Sequence, residues 1–215
     1  MELKPVEKTY SEKFFVNRYK LSWRAPIVCK SIIDTFKLSE ILTPIQNQVI
    51  DIGCGIGDYV HWFNQNGLNA FGIEGSAVAA KYMVTRSFMI WDMRLPFTSD
   101  FINFKKYQVL ICFEVVEHIE EEFINDFIDN LIMLSDTILI SAASPGQKGH
   151  GHVNCRKRKY WIDLFEKKGF MNSILTEHNW RKNLKKYQEQ EFGTCKKELK
   201  SYYNNAICFK RETLI

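Results

Sequence analysis

Between residues 48 and 142, short runs rich in β-branched and aromatic residues alternate with longer amphipathic stretches at a repeat of about 20–25 residues, as in βαβ units. The short runs are 48–51, 68–74, 87–91, 107–113 and 136–142. They are nearly continuous in apolar residues rather than alternating, which predicts strands buried on both faces of a parallel sheet, with right-handed crossovers between them. The clearest helix is 121–134, where Phe123, Ile124, Phe127, Ile128, Leu131 and Ile132 recur at helical spacing behind acidic residues in the first turn. Segments 11–21 and 25–38 have helical character, and 158–168 reads as a helix ending at Gly169. Within it the aromatic stretch 160–165 has the spacing of a core face. Segments 170–176 and 202–209 supply two further strands. The polar interval 177–200 has no strong pattern and is either helical or a flexible insertion.

The pattern predicts one α/β domain over residues 1–215, with a helical cap (1–45), a core (48–142) and a closing part (143–215). At 215 residues and 46% hydrophobic content the chain supports one sizeable core. Its longest apolar stretches, 109–116 and 137–143, fall short of the roughly 18–20 residues of a membrane-spanning helix. Residues 1–8 mix both charge signs and lack a signal peptide's apolar segment. A cytoplasmic protein without membrane contact is expected. The six cysteines contain no C-x-x-C pair, which predicts free thiols rather than a zinc ribbon or a disulfide framework. The net charge of +4 is uneven: residues 1–155 hold 14 basic and 18 acidic side chains, and residues 156–215 hold 15 and 7. The basic third is either a set of solvated helix faces or a surface for an anionic partner such as RNA.

Candidate chemistry gathers at the ends of the expected strands. Asp51-Ile52-Gly53-Cys54-Gly55-Ile56-Gly57 follows the first and can open a helix. Glycines there let the backbone turn tightly and let a ligand approach the amides, although a plain strand-to-helix turn has the same composition. Glu74 ends the second strand, 17 residues beyond Gly57, where a carboxylate can accept both hydroxyl protons of a ribose. Asp92 closes the third, where it can accept from an adenine amino group while Trp91 or Met93 packs on the ring. Each acid alone is also an ordinary strand-end residue. Together they share the carboxyl edge at which open α/β sheets bind ligands.

These residues, with Cys112-Phe113-Glu114-Val115-Val116-Glu117-His118, resemble the successive motifs of class I S-adenosylmethionine-dependent methyltransferases over residues 48–142. The resemblance implies a three-layer Rossmann-like doubly wound sheet of seven strands, mostly parallel with the last antiparallel. It implies S-adenosylmethionine as cofactor and S-adenosylhomocysteine as product. The cofactor-binding residues would be Asp51, Gly53, Cys54, Gly55, Gly57, Glu74, Gly75, Ser76, Asp92, Met93 and Glu114. Asp58 stands where a nicotinamide fingerprint needs its third small residue, so a dinucleotide site is not expected.

Methyl transfer needs alignment and, for some acceptors, a base. His118 and His152 are the candidates, with Glu117 as orienting partner. The loop 144–154 packs three glycines and two histidines and suits a lid or acceptor loop; its His150, His152 and Cys155 lack a nearby fourth zinc ligand. Glu114, Glu117, His118 and His152 also resemble the divalent-metal set of the metal-dependent small-RNA 2′-O-methyltransferases, although 153–156 does not reproduce the aromatic segment of those enzymes. Tyr10, Arg18, Tyr19 and Trp23 of the cap are candidates to cover the cofactor. The expected reaction is transfer to oxygen or nitrogen of a small molecule. Two other readings stay open: a metal-assisted RNA 2′-O-methyltransferase, and a non-catalytic nucleotide-binding or scaffold protein.

Overall fold

The computed structural model describes residues 10–38, 47–97 and 105–212. A seven-stranded sheet runs through its centre in the order β3-β2-β1-β4-β5-β7-β6. The strands are β1 (Val49–Ile52), β2 (Ala70–Glu74), β3 (Phe88–Ile90), β4 (Val109–Cys112), β5 (Thr137–Ser141), β6 (Phe170–Asn172) and β7 (Ala206–Arg211). Neighbouring pairs from β3 to β5 are parallel, and β7 alone runs against its neighbours β5 and β6. The expected fold class is therefore observed.

Alternate residues of each central strand face opposite layers. Val49, Val109, Ile111, Leu139 and Cys208 pack against α2 (Ala25–Phe36), α3 (Asp58–Gln65) and α6 (Ile174–Phe192). Ile50, Ile52, Leu110, Cys112, Ile138, Ile140 and Phe209 pack against α4 (Ile124–Leu134) and α5 (Arg158–Glu166). This two-sided burial explains the unbroken apolar runs of the strands. The aromatic stretch of α5 puts Trp161 and Phe165 in the core, as its spacing predicts. Ahead of α2, α1 (Glu12–Arg18) lies over the carboxyl edge of the sheet, with Phe15 packed on Ile56 and Ala79. Residues 1–9 and 39–46 of the expected cap lie outside the described residues.

Three boundaries differ from the sequence reading. The strand expected over 170–176 stops at Asn172, because Ser173 turns the chain into α6 and leaves Ile174 and Leu175 exposed. The strand expected over 202–209 begins only at Ala206; Tyr202 belongs to a short helix, α7 (Lys200–Asn205), and its ring goes into the core. The undecided interval 177–200 is mostly α6, which ends at Gly193 in the left-handed conformation. All six cysteines are free. Among the described residues no helix is long and apolar enough to cross a membrane.

Candidate active site

A cavity of about 340 Å³ opens at the carboxyl edge of the sheet, beneath α1. Its floor is backbone. After β1 the chain turns through Gly53, Gly55 and Gly57, all with positive φ, and the Gly53 amide donates to the Ile73 carbonyl at 2.7 Å. The Gly55 amide donates to Glu74 Oε2 at 2.8 Å and the Ser76 amide to Glu74 Oε1 at 3.0 Å. A carboxylate offers about four acceptor positions, so Glu74 keeps lone pairs for a further ligand. Burial raises its pKa, while the two amides and Arg18 favour the charged form.

Of the residues expected to bind cofactor, Gly53, Gly55, Glu74, Gly75, Asp92, Met93 and Glu114 line the cavity. Asp51, Cys54, Gly57 and Ser76 stand behind the wall. Asp51 is almost fully buried, and burial together with neighbouring Asp58 pushes its pKa well up. Cys54 turns its sulfur toward β2, 2.6 Å from where a Cβ on Gly72 would sit, so only glycine fits at 72. Asp92 is not the free acceptor that the sequence suggests. Arg94 grips it through Nε and Nη2 at 2.7–3.1 Å and reaches Glu120 at 3.1 Å through Nη1. A donor entering at this end meets an acid already shared with a guanidinium.

The cap contributes Tyr10, Phe14 and Arg18 to the wall. Sequence reasoning named Tyr10 and Arg18 without choosing between them and missed Phe14. Arg18, the last residue of α1, lies over the glycine turn, its Nε 3.5 Å from where a Cβ on Gly55 would be. Tyr19 instead donates to the Tyr82 carbonyl, and Trp23 packs on Phe192.

The opposite wall follows β4. Glu114 takes a positive φ of 57°, unusual for a residue with a side chain. Ser141 holds it there: its hydroxyl accepts from the Glu114 amide and donates to Glu114 Oε1, both at 2.7 Å. Next, the 3-10 turn Val116–His118 brings His118 to the cavity. Its Nδ1 donates to the Gly151 carbonyl at 3.0 Å, which leaves Nε2 as the lone-pair nitrogen. Burial, with lesser help from His152 and His150, lowers the His118 pKa to about 4. Glu117 points the other way and is completely buried, and burial plus nearby Glu114 raises its pKa to about 8. The backbone amides of Glu117 and Ala143 favour its charged form, but no side chain hydrogen-bonds either of its oxygens. His152 stands behind His118, ring centroids 4.9 Å apart, so neither Glu117 nor His152 is at the cavity wall. His150 lies over Tyr10 and Phe14 instead, joining the loop to α1. Of the four-residue metal set, only Glu117, His118 and His152 come together, with ligand atoms within 4.8 Å of one another.

Comparison with known proteins agrees with this geometry. A family model described as a methyltransferase domain matches residues 29–188. The chain is 26% identical over 109 residues to the ubiquinone biosynthesis O-methyltransferase of Rhodopseudomonas palustris (strain BisB18), a match covering 49% of this chain and 42% of that relative. It thus spans less than half of the relative's length. Among solved structures, the magnesium protoporphyrin IX methyltransferase of Synechocystis PCC 6803 with bound S-adenosylmethionine aligns with a TM-score of 0.54 at 16% identity, over 96% of this chain and 89% of that one. A plantazolicin methyltransferase in complex with S-adenosylhomocysteine and a substrate analogue aligns with a TM-score of 0.60 at 16% identity, over 94% and 91%. Identities this low establish a shared fold.

Proposed function

The chain belongs to the methyltransferase-domain family, and from that premise we propose that it transfers a methyl group from S-adenosylmethionine to an oxygen or nitrogen of a small-molecule acceptor, releasing S-adenosylhomocysteine. The reading is carried by one observation: the Glu74 carboxylate, fixed between the amides of Gly55 and Ser76, faces the cavity with acceptor capacity left over. Paired ribose hydroxyls are the donors that suit it. Arg18, above the glycine turn, is then the partner of the carboxylate on the cofactor's amino-acid tail. Met93 packs on the adenine, and Asp92 serves that end mainly by holding Arg94.

A sulfonium is already a strong electrophile, so the work left to the protein is alignment and exclusion of water. The acceptor enters between α1 and the 144–154 loop, past Gly151 and Val153, and meets His118, the one expected catalytic residue at the wall. Glu117 and His152 support His118 from behind. A small acceptor is favoured over RNA because several basic side chains of residues 156–215 are already paired with acids or carbonyls of the chain itself. Arg158 and Arg181 both bind Glu177 and the Ala206 carbonyl. Lys168 pairs with Asp129 and Lys186 with Asp34. The acceptors named in the relatives' descriptions, a porphyrin and plantazolicin, point the same way.

The test is a thermal-shift and calorimetric comparison of S-adenosylmethionine, S-adenosylhomocysteine and NAD. A ligand at 100 times its Kd adds about 2.7 kcal/mol of stability. The two sulfur nucleosides should stabilise the protein and NAD should not; stabilisation by NAD alone overturns the proposal.

A further inference from the structure

We propose that Glu117, His118 and His152 form a binding site for one borderline divalent metal ion of the zinc or iron(II) type, held by two imidazoles and one carboxylate and open toward the cavity. The ligand set differs from the four-residue set suggested by the motif, because Ser141 ties up Glu114 on another side of the turn.

Four observations carry this. The first is the buried acid: Glu117 is fully buried, and although the backbone amides of Glu117 and Ala143 favour its charged form, no side chain hydrogen-bonds either oxygen. An unpaired carboxylate in such a place is costly, and a cation is the usual remedy. The simplest alternative, a hydrogen bond to His152, fails on distance, since Nε2 lies 4.0 Å from Glu117 Oε1. A tetrahedral ion at about 2.1 Å from each atom would sit between them once the pair draws in to about 3.4 Å.

The second is the set of tautomers. His118 Nδ1 donates to the Gly151 carbonyl, and His152 Nδ1 donates to the Gln147 carbonyl at 3.1 Å. Carbonyls only accept, so both rings carry their proton on Nδ1 and keep the Nε2 lone pair free, the orientation that outer contacts impose on metal-binding histidines. Cys155 lies on the Nδ1 side of His152, 3.3 Å away.

The third is Gly149. Its φ is not in the left-handed region, so its backbone does not require glycine. Yet a Cβ there would stand 2.0 Å from His152 Nε2. Glycine is needed at 149 because the face of the His152 ring lies against it, with Cε1 and Cδ2 at 2.3 and 2.5 Å from the same point.

The fourth is the clamp that joins the two segments. The Val153 and Asn154 amides both donate to the Glu117 carbonyl, at 3.0 and 2.9 Å. Backbone therefore sets the distance between the ligands before any ion arrives. Two imidazoles with one carboxylate suit borderline transition metals better than magnesium or calcium, which prefer all-oxygen sets. His118, Gly151 and Val153 line the cavity, so the open position faces it.

The experiment uses the full chain, stripped with EDTA and desalted, and titrated calorimetrically with zinc and, by visible absorption, with cobalt(II). One ion per chain should bind. Loss of an outer contact alone costs about 10–100-fold in affinity, so Glu117→Gln, His118→Ala and His152→Ala should each cost at least that much. Gly149→Ala, in an exposed stretch of loop, keeps all three ligand residues but pushes on the His152 ring, and should weaken binding about tenfold or more; it carries the test if a ligand variant fails to fold. Binding of S-adenosylhomocysteine, measured on the stripped wild-type chain and on Gly149→Ala, should survive, which keeps a failure here distinct from a failure of the cofactor reading. Absence of saturable binding, or an affinity unchanged in His118→Ala, His152→Ala and Gly149→Ala, overturns the site.

Discussion

The two walls of the cavity are built on opposite plans. On the β1–β2 side, backbone does the binding: three glycines turn the chain, and the one acid, Glu74, is met by two amides. On the β4–β5 side, side chains from distant segments converge, and the buried acid, Glu117, has no side-chain hydrogen bond to balance its burial. The first plan yields a rigid cradle whose polar groups are satisfied before a ligand arrives. The second stores an unmet need, the more common condition of a site that awaits a charged ligand.

Four measurements separate the walls. The largest effect should come from Glu74→Ala. Two hydrogen bonds to a charged acceptor are worth about 1.5–3 kcal/mol each, so the Kd for S-adenosylhomocysteine should rise more than about 100-fold by calorimetry; an unchanged Kd removes Glu74 from the site. The next concerns the other acid and pH. A Glu117 pKa near 8 in the folded chain lies above the ordinary value of 4.5. The folded state therefore holds a proton that the unfolded state has lost, and its contribution to stability is complete below about pH 4.5 and declines as pH rises toward 8. Urea unfolding of chelator-treated protein should show a decline of up to about 5 kcal/mol across that window, absent in Glu117→Gln. A wild-type profile that does not differ from the variant's rules out the uncompensated charge.

Third, Gly53→Ala tests the cradle. Its φ is +72°, and the new Cβ would stand 2.3 Å from Val115 Cγ2. Left-handed strain with overpacking predicts a loss of about 2 kcal/mol, read as a lower urea midpoint at unchanged slope. Last, Arg18→Ala removes one partly exposed charge from the cofactor's tail and should weaken S-adenosylhomocysteine binding by about 1 kcal/mol; no change would assign that carboxylate to the glycine amides alone.

The cradle was legible in the chain because its parts are local: glycines at a strand end, an acid at the next strand end, and the apolar runs that place both at one edge. Helix α6 was not. Its inward residues Thr176, Trp180, Leu184 and Gln188 fall on every fourth position, but two of the four are polar and hide the stripe. Ile174 and Leu175 read as strand for the converse reason, being apolar yet exposed. Asp92 looked free because nothing in the sequence marks Arg94, two positions on, as its partner.

The succession of strands and helices along the core, the glycine turn and the acid at the end of β2 follow from the sequence by itself, since periodicity and backbone freedom are decided by residues a few positions apart. Which cap residue overhangs that turn, and which acids and histidines share a site, were decided only by the tertiary structure. Glu117 and His152 are separated along the chain and are brought together when the amides of Val153 and Asn154 close on the Glu117 carbonyl. A pairing of that kind has no periodic signature, because its free energy comes from groups that meet only after the sheet has formed.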